Sequence, residues 1–341
     1  MAYLRKLEFG NYTLNFGSEK VLLDLFHEVV MPSFLEMKYI RHLKDKGDYF
    51  FLDTKLIVLD QDSNNPVLGV SGRIVKNTKL KREQIFRTEG GIIADKSELE
   101  TAPSSTFLLI LNNHRLILCK EVPGAPTIQN FQSTSHYCLK KQHKSFIDEL
   151  FDQAKKNKEL HPEAEKVTKK ALLLEYPYPK LRITPLSDKE TLNEFISRFQ
   201  QIDRVSIKLL PTNHEEIDND DFWADLGRRR EELNSSAAKV DFSNMKEGLN
   251  SDQVLAQARS ASNFGNSEVK LKGSDKEGDT IQGSNDDFNL TVELDDLPRN
   301  AEQAGKEKYS QFKHLTVANI ISLPGLAQET MVKIRAIFES L

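Results

Sequence analysis

The residues best arranged for chemistry in this chain are basic. Between positions 73 and 87 lie Arg73, Lys76, Lys79, Lys81, Arg82 and Arg87, against a single acid, Glu83. Lys270 and Lys272 alternate along a predicted strand, which sends both ammonium groups to one face. Lys208 falls on a strand expected in the same sheet. Arg228, Arg229 and Arg230 follow Gly227 inside a predicted helix, where successive residues turn by about 100° and so cannot share a face. Cations fixed on a regular face suit a phosphate backbone, whose contacts position a protein without reading bases.

The acidic run 214–225 offers a different chemistry. Glu215, Glu216, Asp218, Asp220, Asp221 and Asp225 have no intervening base. Clustered carboxylates can hold magnesium for phosphodiester cleavage. The run also precedes a predicted helix, where the helix dipole favours acids. Phe222 stands where a calcium loop would need a ligand. The Asp286-Asp287 and Asp295-Asp296 pairs read as turn and strand-end residues. Cys138 lies near His136 and His143, and a Cys–His pair can generate a thiolate. Sequence neighbours seldom have that geometry, and Cys119 sits in a strand that reads as core. Neither cysteine belongs to a zinc-type pair. The chain carries no glycine loop for phosphates, no dinucleotide fingerprint, no nucleophile elbow and no zinc-protease helix motif. No cofactor and no metal are expected.

The elements that must position these residues follow from periodicity. Residues 19–30 have helical spacing closed by Pro32, and 49–53, 55–60 and 67–75 read as strands. Residues 106–122 form two apolar strands around Asn112-Asn113, and asparagine tolerates the positive φ of a tight turn. A helix is expected at 142–157. The second half opens with a strand at 180–186, a helix at 188–200 capped by Ser187 with Glu190, and a strand at 204–211, a β-α-β unit. Helices at 221–234 and 251–260 follow, then a meander of 267–273, 279–283 and 288–294. A last helix, 325–340, carries the apolar stripe Leu326, Met331, Ile334, Ile337 and Phe338, for docking on the body or on a second subunit. The fold class is therefore α+β. The expected layout is a mainly antiparallel sheet domain with packing helices over 1–160, a link over 161–175, and a β-α-β and meander domain over 176–341.

Composition narrows the setting. A chain of 341 residues usually exceeds one core, and its net charge of −4 excludes a polybasic protein but not a local basic face. No stretch approaches the roughly 18 apolar residues of a membrane span. Two cysteines and no apolar leader at the start of the chain imply a reducing, cytoplasmic compartment.

Two stretches carry a resemblance. The first is YFFLDTKL, then VSGRIVKNTKLKREQIF and STFLLILNNHRLILCK; the second is DRVSIKLLP, two helices, then NSEVKLKGSDKEGDTIQG and a closing helix. In this arrangement the chain resembles the RexA-type phage-exclusion proteins and the KwaB-type proteins of the Kiwa anti-phage system. The resemblance implies a homodimer that binds duplex DNA without sequence preference, acts in defence against phage, and has a membrane-protein partner from a neighbouring gene. It would place DNA contacts at Lys76 to Arg82 and at Lys208, Lys270 and Lys272. It does not account for the acidic run. Two other readings stand beside it: a metal-dependent nuclease using 215–225, and a protein-interaction subunit of a defence complex.

Overall fold

A computed structural model describes residues 4–62, 65–187, 189–210, 221–233, 235, 237–262, 265–323 and 325–341. The fold is α+β, as expected, and is built on two antiparallel sheets.

The larger sheet starts with β1 (Arg5–Phe16) and β2 (Lys20–Val21). It continues through β3 (Arg41–Leu43), β4 (Gly47–Asp60), β5 (Val67–Arg87), β6 (Gly91–Thr101), β7 (Ser104–Ile110) and β8 (Arg115–Lys120). Two later strands join it, β9 (Pro179–Pro185) and β14 (Thr291–Leu294). One edge of β1 pairs with β8, and the other takes β14 at residues 5–8 and β9 at residues 10–16. The smaller sheet has the order β11-β10-β12-β13, from β10 (Gln201–Leu209), β11 (Ala238–Ser243), β12 (Ser267–Ser274) and β13 (Thr280–Ser284).

β7 and β8 carry the unbroken apolar runs 107–110 and 116–119 because both faces of these stretches are buried. Phe107, Leu109, Leu116 and Leu118 point into one core, and Leu108, Ile110, Ile117 and Cys119 into the other. Their connecting turn differs from the expectation. It spans 111–114, and the positive φ of 53° belongs to His114, not to the asparagines. Asn112 instead pins the turn to the start of β5: its Oδ1 accepts from the Leu68 N–H at 3.0 Å and its Nδ2 donates to Pro66 O at 2.8 Å.

The first core lies under α2 (Ile128–Leu160), a helix twice as long as its apolar stripe suggested. Thr127 caps it, accepting from the Asn130 N–H. Its buried face mixes Phe131 and Leu139 with Thr134, Ser135, Gln142 and His143, which dilutes the hydrophobic period. Phe131 stacks among Phe34, Phe51, Phe107 and Tyr12, with ring centroids 4.9–6.5 Å apart. Residues 22–30 are helical, as one 3-10 turn and one π turn, and run on into α1 (Met31–Ser33). Pro32 therefore does not end the run. It lies inside the run, one residue before its end at Ser33.

The opposite face is covered by α7 (Ala301–Val317). Gly305 lets this helix approach β5 closely, since a Cβ there would lie 2.6 Å from the Ser71 hydroxyl. One turn later Lys308 is fully buried, and its Nζ donates to Thr106 Oγ1 at 2.7 Å. Burial lowers its pKa to about 7, with the Arg73 charge adding to the shift and Cys119 and Glu121 opposing it.

The remaining helices are α3 (Lys169–Glu175), α4 (Lys189–Ser197), α5 (Asp221–Glu232), α6 (Ser251–Ser262) and α8 (Gln328–Glu339). α4 and α6 cover one face of the smaller sheet, burying Leu192, Phe195, Val254 and Ala258 against Val205, Ile207, Val269 and Leu271. β9 and β10 flank α4 but lie in different sheets, so the expected β-α-β unit does not form. The open edge of β1 takes β9, and β10 pairs with β11 and β12. The meander is likewise divided, because β14 leaves β13 for β1. Ser187, expected as a helix cap, bridges to Asn289 and donates to the Ser262 hydroxyl.

The boundary expected at 161–175 thus falls inside one packed unit. Residues on both sides of it build the larger sheet, and the smaller sheet with α4, α5 and α6 is an excursion between β9 and β14. The apolar stripe of α8 turns inward: Ile334 and Ile337 are buried and Phe338 packs on the first core. These three serve their own chain, whereas Leu326, just before the helix, is exposed.

Candidate nucleic-acid interface

The side of the smaller sheet away from α4 and α6 is polar, and pairing register places its residues. Arg204 of β10 lies between Lys272 of β12 and Ser243 of β11. Ser206 lies between Lys270 and Asp241, and Lys208 between Glu268 and Lys239. Gln282 and Ser284 of β13 extend the first two rows. Neighbouring strands are about 4.8 Å apart, and alternate residues on one strand about 7 Å apart. Five cations therefore share one side of three strands with two carboxylates. The odd-numbered β10 partners Val205, Ile207 and Leu209 point into the core and hold that orientation.

Both carboxylates are engaged. Glu268 takes Lys270 at 2.7 Å and Arg182 of β9 at 3.1 Å, and these cations hold its pKa below the usual range, Lys270 first. Asp241 takes Lys239 at 2.9 Å, and its pKa is lowered chiefly by that bond. Among the described residues, Lys208 and Lys272 make no ion pair; Lys272 is exposed and Lys208 half-buried. Lys208, Lys270 and Lys272 are thus brought together as expected. Arg204 and Lys239 join them. Arg204 was visible in the alternation Arg204-Ser206-Lys208; Lys239 is on β11, a six-residue strand whose alternation Ala238-Val240-Phe242 is legible but stands between two helices, where no strand is expected from the sequence.

The other basic residues read from the sequence behave differently. Arg73 is a structural cation: its half-buried guanidinium pairs with Asp53 and Glu121 and donates to the Arg299 carbonyl. Lys76, Lys79, Lys81 and Arg82 lie on β5; Lys76 sits opposite Tyr49 of β4, and the other three face the acidic strand β6. Lys79 and Lys81 share Glu98 at 3.2 and 3.9 Å, and Arg82 meets Asp95 at 2.6 Å. The neutralising acids stand some twenty residues downstream, so the segment looked basic on its own. On α5, Arg228 pairs with Asp225 and Glu232, and Arg229 with Asp225. Arg230 is buried and donates to the Leu210 carbonyl, which removes it from any surface.

Of the acidic run, Glu215, Glu216, Asp218 and Asp220 lie outside the described residues, and Asp225 is held by the two arginines. Among the described residues no group of His, Cys, Asp and Glu is placed to hold a metal. Cys138 is buried and bonds to the Tyr39 carbonyl, and burial pushes its pKa up to about 12. His136 and His143 bind the carbonyls of Pro179 and Tyr176. Each histidine therefore holds backbone, and none of the three groups forms a nucleophile pair. Among the described residues no helix is long and apolar enough to cross a membrane.

No curated protein matches the chain. Residues 30–309 match the model of a family described as a domain of unknown function, DUF4747; this span takes in the smaller sheet, every cation of the polar face and all of the larger sheet except β1 and β2, and the chain belongs to that family.

Proposed function

We propose that this protein binds duplex nucleic acid through the polar side of its smaller sheet, gripping backbone phosphates without reading base sequence. The observation that carries the reading is register: β10, β11 and β12 align Arg204, Lys208, Lys239, Lys270 and Lys272 on one side. Lysines at strand spacing act as point charges for phosphate oxygens, and the serines between them are short enough to let a backbone approach. The resemblance to phage-exclusion proteins supplies the setting, cytoplasmic defence against phage.

The test is duplex binding across a salt series with two unrelated sequences. Affinity is expected to fall with a log–log slope of about −0.9 per phosphate contact and to be equal for both duplexes. Lys270→Glu/Lys272→Glu should make that slope shallower by about two units and weaken binding at least tenfold at low salt. Lys79→Glu/Lys81→Glu, on the neutralised β5, should change little. A flat salt response in the wild type, or a preference for one sequence, refutes the reading.

A further inference from the structure

Past Asn77 the strand β5 leaves the body with only β6 beside it. The two form a ribbon of about ten residues a side, roughly 34 Å long. The extra residue in its irregular rung lies on β6, so β5 keeps strict alternation. Leu80, Arg82, Gln84 and Phe86 therefore share one face with their partners Leu99, Ser97, Ala94 and Ile92. Four large apolar side chains on that face stand in solvent: Leu80 is 59%, Phe86 75%, Ile92 68% and Leu99 66% exposed. The other face holds the cross-strand charges, including Lys79 and Lys81 with Glu98. An isolated two-stranded ribbon is marginal in water, and one with an apolar face is a surface built for contact.

We propose that this face pairs with the same face of a second copy of the chain. Its pattern is self-matching. An apolar rung, Leu80–Leu99, and a second, Phe86–Ile92, flank a middle that carries Arg82, Ser97, Gln84 and Ala94. A two-fold axis running along the ribbon sets each apolar rung on its own image and lays β5 of one copy over β6 of the other. Charge selects this arrangement. On this face β5 carries Arg82, which meets Asp95 of β6 at 2.6 Å, so laying β5 on β6 brings each Arg82 toward the other copy's Asp95. An axis across the ribbon would instead stack β5 on its own copy. Covering the face on both copies removes on the order of 1,000 Å² from water, the lower bound for a specific interface, so the dimer should dissociate in the micromolar range.

Light scattering of the full chain without nucleic acid, across the micromolar range, tests the proposal independently of the binding reading. The wild type is expected to move from monomer to dimer as concentration rises. Leu80→Ser/Phe86→Ser should stay monomeric throughout with unchanged circular dichroism and melting temperature, because both side chains are exposed. Lys81→Ser/Arg87→Ser, carrying two cations of the same strand, should dimerise within about threefold of the wild type. A monomeric wild type at every concentration, a serine variant that still dimerises, or growth into higher oligomers without a dimer plateau would each overturn it.

Discussion

Phe131→Ala is expected to destabilise the protein by about 3–5 kcal/mol, the usual cost of truncating a fully buried aromatic. Phe131 is 0% exposed, and its ring meets four others drawn from β1, α1's C-cap, β4 and β7. These come from four separate chain segments between residues 12 and 107, so none can close over the space without dragging its own element. Natural domains keep only about 5–15 kcal/mol in total, and the variant should therefore sit near the edge of folding. Phe131→Leu, which refills most of the volume, should recover more than half of the loss. Urea unfolding of the three proteins checks both steps. A cost under about 1 kcal/mol for alanine would mean that the cluster collapses freely, against the packing described.

Lys308→Met should raise stability, and by an amount that depends on pH. An unfolded lysine titrates near 10.4, whereas burial brings Lys308 to about 7. Below pH 7 both states are charged and the folded protein bears the full cost of a buried ammonium. Between about 7 and 10 the unfolded chain binds more protons, so wild-type stability rises with pH, and above that range both states are neutral. The gap amounts to about 5 kcal/mol, from which the loss of the bond to Thr106 takes roughly 1–3. Methionine should thus gain on the order of 2–4 kcal/mol near pH 6 and lose that advantage near pH 10. Denaturant midpoints at the two pH values measure the difference. A pH-independent gap between the variants would show that the lysine does not change protonation on folding.

Lys308 also marks where reading the sequence stops. A fully buried lysine and an exposed one are the same letter, and α7, whose buried residues are Ala301, Ala304, Gly305, Lys308 and Phe312, has one large apolar side chain among them. For the same reason Arg73 and Arg230 looked like surface cations: what removes them is a carboxylate or carbonyl distant in sequence. Lys208, Lys270 and Lys272 were readable because a strand of period two sorts its faces locally, and Val205-Ile207 and Val269-Leu271 named the buried side. The β7–β8 hairpin was readable because burial on both faces leaves an unbroken apolar run. β6 is largely exposed on both faces, and β11 offers only three apolar residues, Ala238, Val240 and Phe242, in alternation. Which sheet β9 and β14 join depends on an open edge of β1, a property of the assembled molecule that no local window contains.

That edge also has a consequence in time. Arg5 of β1 pairs with Leu294, and Phe16 with Pro179. During synthesis at about 5–20 residues per second, β1 emerges roughly 15–60 seconds before β14 can reach it. In that interval the outer edge of β1 is a row of unsatisfied amides and carbonyls beside a strand pair already able to form. Such long-range closures slow folding and leave the nascent chain open to pairing with a neighbour on the same messenger. A fragment ending at residue 160 would keep that edge bare permanently, and its solubility, compared with that of the whole chain, would report how much of the protein's escape from aggregation depends on strands made last.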